Sequence, residues 1–158
     1  MTLDEKRRLL ELLTQANAAT RETLEGIDLD LPVYPDSGWR IRDIIGHIAT
    51  WDRVLVMSLH AFRLGQEYVL PDHDEAAFNE QDILNQQELT AQQVFQEWEL
   101  ARQEFKDAVN ELPLDLFPGD LLYPWGDERG TIARLVETMV EHDVEHHDEI
   151  VLAIQSRK

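Results

Sequence analysis

The chain has 158 residues, 43% hydrophobic and 29% charged, enough for one domain that removes roughly 68–70% of its unfolded surface from water. Its 14 basic side chains face 32 acidic ones, for a formal charge of -18, and such a field repels nucleic acid and anionic membrane, both of which are bound through basic groups. Cysteine is absent from the sequence, which excludes disulfides, thiolate zinc sites and a cysteine nucleophile, so any thiol chemistry needs a thiol brought from outside.

The first predicted element opens at Thr2, with Glu5 three residues on as its capping-box partner. Leu10, Leu13, Ala16, Thr20 and Leu24 then recur at spacings of three and four, a helix to about Glu25. The turn-rich stretch GIDLDLPVYPDSG follows, and Ser37 is the expected N-cap of a second helix. That helix carries Ile41, Ile44, Ile48, Trp51, Leu55 and Leu59 on one side and ends near Gly65. In residues 66–88, QEYVLPDHD reads as loop and EAAFNEQDILNQQ as a short helix or a helical extension. Thr90, with Gln93 three later, caps a third long helix that keeps its rhythm through Phe95, Trp98, Phe105 and Val109 until Pro113 stops it. The connection LPLDLFPGDLLYPWGDERG holds three prolines and three glycines, as binding loops often do. A fourth long helix runs from Thr131 to about Gln155. Strand signals are weak throughout. The expected fold is therefore all-α: a single domain over residues 1–158, built as a four-helix bundle with a short extra helix between its second and third long helices. No stretch approaches the ~20 apolar residues of a membrane span, and the MTLDEKRR start lacks the apolar core of a secretory signal, so a cytoplasmic location is expected.

Histidines interrupt this pattern where apolar residues belong. At about 100° per residue from Ile132, the apolar stripe of the last helix centres near 330°, with His146 at about 320° and His142 at about 280°. His147 falls near 60°, outside the stripe. His142 and His146, four apart, share one face. On the second helix His47 lies three residues after Ile44 and four before Trp51, on the shoulder of that stripe. Three inward imidazoles are the ligand set of an open, zinc-type site; an internal polar network is the plainer alternative. His60 and His73 read as surface or loop residues. HDVEH fits neither H-E-x-x-H, because Asp143 follows His142, nor H-x-x-E-H, because too little chain remains for a distant third ligand.

The stretches IRDIIGHIATWDR and ARLVETMVEHDVEHHDEI strongly resemble the DinB-like four-helix bundles, a group that includes YfiT-type metal-dependent hydrolases and thiol-dependent S-transferases. His47, Trp51 and Asp52 correspond to that family's second-helix motif, and His142, His146 and Ile150 to its H-x-x-x-H-x-x-x-I ending. The resemblance implies an up-down-down-up bundle that dimerises, with His47, His142 and His146 on a divalent ion, zinc or nickel, and in some branches a low-molecular-weight thiol as co-substrate. A metal-dependent hydrolase or thiol S-transferase acting on a small electrophile is the expected function, with a non-catalytic binding or sequestration protein as the alternative. Trp51, Phe78, Tyr123 and Trp125 are candidate pocket residues, each with core packing as its rival role. Asp143, Glu145 and Glu149 flank the ligands and can accept imidazole N–H bonds; the plainer expectation is solvated acids on an acidic helix. Arg53, Arg129 and Arg134 are the candidates for holding an anionic thiol.

Overall fold

A computed structural model of the protein describes residues 2–71 and 75–157. His73 lies outside the described residues. Helix α1 (Leu3–Thr23) starts as the sequence predicts: Thr2 Oγ1 accepts from Glu5 N while the Glu5 carboxylate accepts from Thr2 N. It ends at a Leu24 cap, just before Gly26 takes the left-handed φ of 71° that terminates helices.

The start of α2 (Ile41–Arg63) departs from expectation. Arg40, not Ser37, is the N-cap, and its backbone N–H donates to Asp43 Oδ2 at 2.8 Å. The reason lies upstream, where Val33 N donates to Trp39 O at 2.8 Å and Gly38 N to Tyr34 O at 2.9 Å, with Gly38 at φ 76°. Ser37 is used inside that turn, its Oγ accepting from Trp39 N. The turn sets Tyr34 and Trp39 side by side, ring centroids 5.9 Å apart.

Helix α3 (Glu75–Asn85) is the short extra helix, continued by a 3₁₀ turn over Gln86–Glu88. Helix α4 (Ala91–Glu111) begins with the Thr90/Gln93 capping box. The proline-rich connection forms a two-residue antiparallel ladder, β1 (Leu121–Leu122) with β2 (Arg129–Gly130), too short to leave an alternating pattern in sequence. Tyr123 Oη donates to Thr131 O at 2.8 Å, tying this hairpin to the start of α5 (Ile132–Gln155).

Side-chain pairings fix the direction of every long helix. Lys6 reaches the carbonyls of Asn110 and Leu112, and Arg21 pairs with Glu99, so α1 and α4 are antiparallel. Arg42 bonds Leu89 O, Asp52 pairs with Arg102 and Arg63 with Glu111, so α2 and α4 run together. Arg8 meets Glu137 and Thr23 meets His147, so α1 and α5 run together. The bundle is thus up-down-down-up, and the four long helices form a ring in the order α1, α4, α2, α5. Direct packing is thinnest on the α2/α5 side.

Two apolar clusters fill the interior. One gathers Leu13, Leu55, Phe105, Leu135 and Met139; the other gathers Ile44, Ile48, Trp98 and Ile150. On α5 the histidines fall where one cluster gives way to the other, and on α2 His47 lies among the residues of the second cluster, four residues before the first begins at Trp51.

Candidate metal centre

His47 comes from the second turn of α2, and His142 and His146 from successive turns of α5, so two facing helices aim three imidazoles at one point. His47 Nε2 lies 3.4 Å from His142 Nε2, which lies 3.0 Å from His146 Nε2. The three ligand atoms all fall within 4.8 Å of one another. His147, the outlier on the helical wheel, turns away to Thr23 Oγ1 at 2.9 Å. His60 is exposed.

Hydrogen bonding alone cannot satisfy this cluster. A neutral imidazole nitrogen carries either one proton or one in-plane lone pair, so His142 Nε2 can complete a single hydrogen bond while facing two other ring nitrogens. Protonated rings do not rescue the arrangement. Burial and the neighbouring His142 push His47 down to about 4, and burial with His142 and His47 pushes His146 down to about 3. His142 is also lowered, by burial, against the opposing pull of Glu145, Asp52 and Glu149. Three neutral imidazoles with converging Nε2 atoms suit a shared cation. At a Zn–N distance of about 2.0–2.1 Å, ligand nitrogens on a tetrahedron stand about 3.3 Å apart, close to the two separations that His142 Nε2 makes.

His146 is oriented from behind. Its Nδ1 lies 2.9 Å from the Tyr34 hydroxyl, and Glu149 Oε2 stands 3.9 Å from the same nitrogen. Burial and then the Glu149 carboxylate hold the Tyr34 phenol protonated, well above its ordinary range. Nδ1 of His47 and of His142 meets no hydrogen-bond partner among the described residues.

A second polar cluster lies deeper in the bundle. The Arg102 guanidinium, from α4, donates to both carboxylate oxygens of Asp52 on α2 at 2.8 and 3.1 Å, to Asp143 Oδ2 on α5 at 2.7 Å, and to Leu13 O on α1 at 3.1 Å. One buried side chain therefore touches all four long helices. Burial pushes both carboxyls up, and the Arg102 charge pulls them back down. Asp143 is thus neither a solvated acid nor an imidazole acceptor, since burial beside His142 delivers it to Arg102. Glu145 is the exposed acid, and Glu149 is half-buried at Tyr34.

The Nε2 atoms face a cavity of about 410 Å³, walled by Trp39, Trp51, Trp125 and Met139, with Asn79, Thr138 and Glu75 as its other polar lining. That is a volume ordinary for a small-molecule site. Trp51 Nε1 donates to Asn79 Oδ1 at 2.8 Å. Two of the candidate pocket residues stand one layer back: Phe78 packs edge-on against Trp51, and Tyr123 against Trp125. The three candidate arginines lie away from the wall. Arg53 pairs with Glu97 and Glu104, Arg129 with Glu67 and Asp120, and Arg134 with Glu141.

A mostly helical bundle of this topology, with three histidines from two facing helices converging beside an aromatic cavity, defines a recognisable class. Residues 4–150 match the model of the DinB superfamily, and the chain belongs to it. Among solved structures, YfiT from Bacillus subtilis, described as "a probable metal-dependent hydrolase with an unusual four-helix bundle topology", superposes with a TM-score of 0.76. The two are 17% identical, and the alignment covers 99% of this chain and 90% of that one, a likeness that speaks for the fold. No curated protein matches the chain.

Proposed function

We propose that His47, His142 and His146 hold a divalent ion, zinc or nickel, and that the protein uses it to hydrolyse a small electrophilic molecule bound in the tryptophan-walled cavity. The observation that carries this reading is the single His142 Nε2 facing two other neutral ring nitrogens, a geometry that a shared ion satisfies and hydrogen bonds do not. When bound, the ion supplies Lewis acidity, which acidifies water and polarises an electrophilic group.

The chain's own residues do the rest. With the His146 Nε2 lone pair directed at the ion, its Nδ1–H donates to the Tyr34 oxygen, with the Glu149 carboxylate close by. The tryptophan walls exclude bulk water and give an apolar substrate a dry surface. Asn79 is held by Trp51 and lines the cavity beside the ligand set. Hydrolysis is favoured over thiol transfer because no lysine or arginine is among the described lining residues to receive an anionic thiol.

Elemental analysis of protein purified without an affinity tag, joined to a panel of ester and amide substrates, tests the reading. A stoichiometric ion and turnover in the wild type, both lost in His146→Ala, is the expected result. Ligand binding without turnover in wild type and variant alike supports sequestration instead.

A further inference from the structure

The charge and shape of the cavity wall say what kind of molecule fits beside the histidines, an inference that rests on reading this cavity as the substrate site. Three of the four tryptophans in the chain line it, joined by the Met139 thioether. Its one charged lining group among the described residues, apart from the histidines, is the Glu75 carboxylate at the start of α3. Arg102 is buried between two carboxylates, and Arg53, Arg129 and Arg134 each pair with acids elsewhere. Behind the wall stands Glu149, and around the whole chain a formal charge of -18. Tryptophan faces attract cations through their quadrupoles, and a carboxylate at the rim adds to that attraction.

We propose that the cavity selects small organic molecules that carry a positive charge, of the alkylammonium type, on or near an apolar body, and disfavours anionic ones. The aromatic walls receive the apolar body and the ammonium, Glu75 supplies the counter-charge, and the histidine centre addresses the group to be cleaved. A negatively charged co-substrate meets no lysine or arginine among the described lining residues and a carboxylate at the rim.

Two probes of similar shape and opposite charge test this: benzyltrimethylammonium and phenylmethanesulfonate, a weak metal ligand. Each is titrated by calorimetry and by tryptophan fluorescence, once with zinc-loaded protein and once after removal of zinc by chelator. The ammonium should bind about 10-fold or more tightly than the sulfonate in the zinc-free protein, and bound zinc, itself cationic, should narrow that ratio. Glu75→Gln, an exposed replacement, should narrow that ratio several-fold, and Trp125→Ala should weaken the ammonium while leaving the far-ultraviolet spectrum unchanged. Equal or tighter sulfonate binding in the zinc-free protein, or no saturable ammonium binding in the millimolar range, overturns the proposal. Failure to take up zinc would instead count against the metal reading and leave the ranking of the two probes to be judged by itself.

Discussion

At the scale of single residues, the centre depends on how its rings are aimed. His146 is the one ligand with a phenolic partner at its second nitrogen, so Tyr34→Phe releases its ring while removing only one oxygen. Metal affinity is expected to fall about 10- to 100-fold, read by competition with a chromophoric chelator, with little change in thermal stability. Protonation probes the same rings from the other direction. A folded-state value near 4 for His47, against about 6.5 for a free imidazole, means that the native chain binds fewer protons than the unfolded one. Its contribution is therefore complete above pH 6.5 and is lost as pH falls toward 4. Denaturant titrations of metal-free protein at pH 7 and pH 5 should show wild type losing about 2 kcal/mol more than His47→Gln over that interval. The buried carboxyls of Asp52 and Asp143 act in the opposite sense, because burial raises them, but they are common to both proteins and cancel in the comparison. The histidine pattern was legible because a helix has a known period: His146 in mid-stripe and His142 at its edge both point inward. Tyr34 and Trp39 left no such trace, since they come from a turn whose shape is set by backbone bonds around Gly38 and not by any repeat.

Among elements, the surprise is a charge inside α4's apolar stripe. Trp98, Arg102, Phe105 and Val109 follow at four, three and four, so the sequence does signal a buried arginine, and Asp52 sits between Ile48 and Leu55 in the same way on α2. What the sequence could not supply was the pairing, because it depends on how three helices face one another. Arg102 joins the two helices that carry the candidate ligands, through Asp143, next to His142 in the chain, and Asp52, five residues beyond His47. Arg102→Met leaves two carboxyls buried without their partner and is expected to cost about 3–5 kcal/mol in denaturant unfolding. Replacing Arg102, Asp52 and Asp143 together by apolar residues should recover much of that loss, since no uncompensated charge then remains. Helix α3 depends on a different contact. A Cβ at Gly46 would stand 1.9 Å from Gln86 Oε1, and Gln86 Nε2 bonds Gly46 O, Thr50 Oγ1 and Asp82 Oδ2. Gly46→Ala favours the α2 backbone by about 1 kcal/mol yet displaces that side chain. Faster amide exchange confined to residues 75–88, with global stability nearly unchanged, is the expected signature.

For the whole molecule, the ring of helices is well packed on three sides and thin on the fourth, between α2 and α5. That thin side is where the cavity lies and where the three histidines meet. Arg102 ties α2 to α5 from within, and an ion on the histidines, as proposed, would tie them again nearer the cavity. Because those ligands come from helices that otherwise touch little, an ion bound there favours the assembled bundle over any state in which α5 swings away. An ion that binds only the native chain at 100 times its dissociation constant adds about 2.7 kcal/mol, which in a chain of this length raises the melting temperature by about 5–10 °C. Zinc should produce that rise in the wild type by differential scanning calorimetry, chelator should reverse it, and His142→Ala should show neither. An equal rise in His142→Ala would place the ion elsewhere on this acidic surface, and the α2/α5 side would then be held by Arg102 alone.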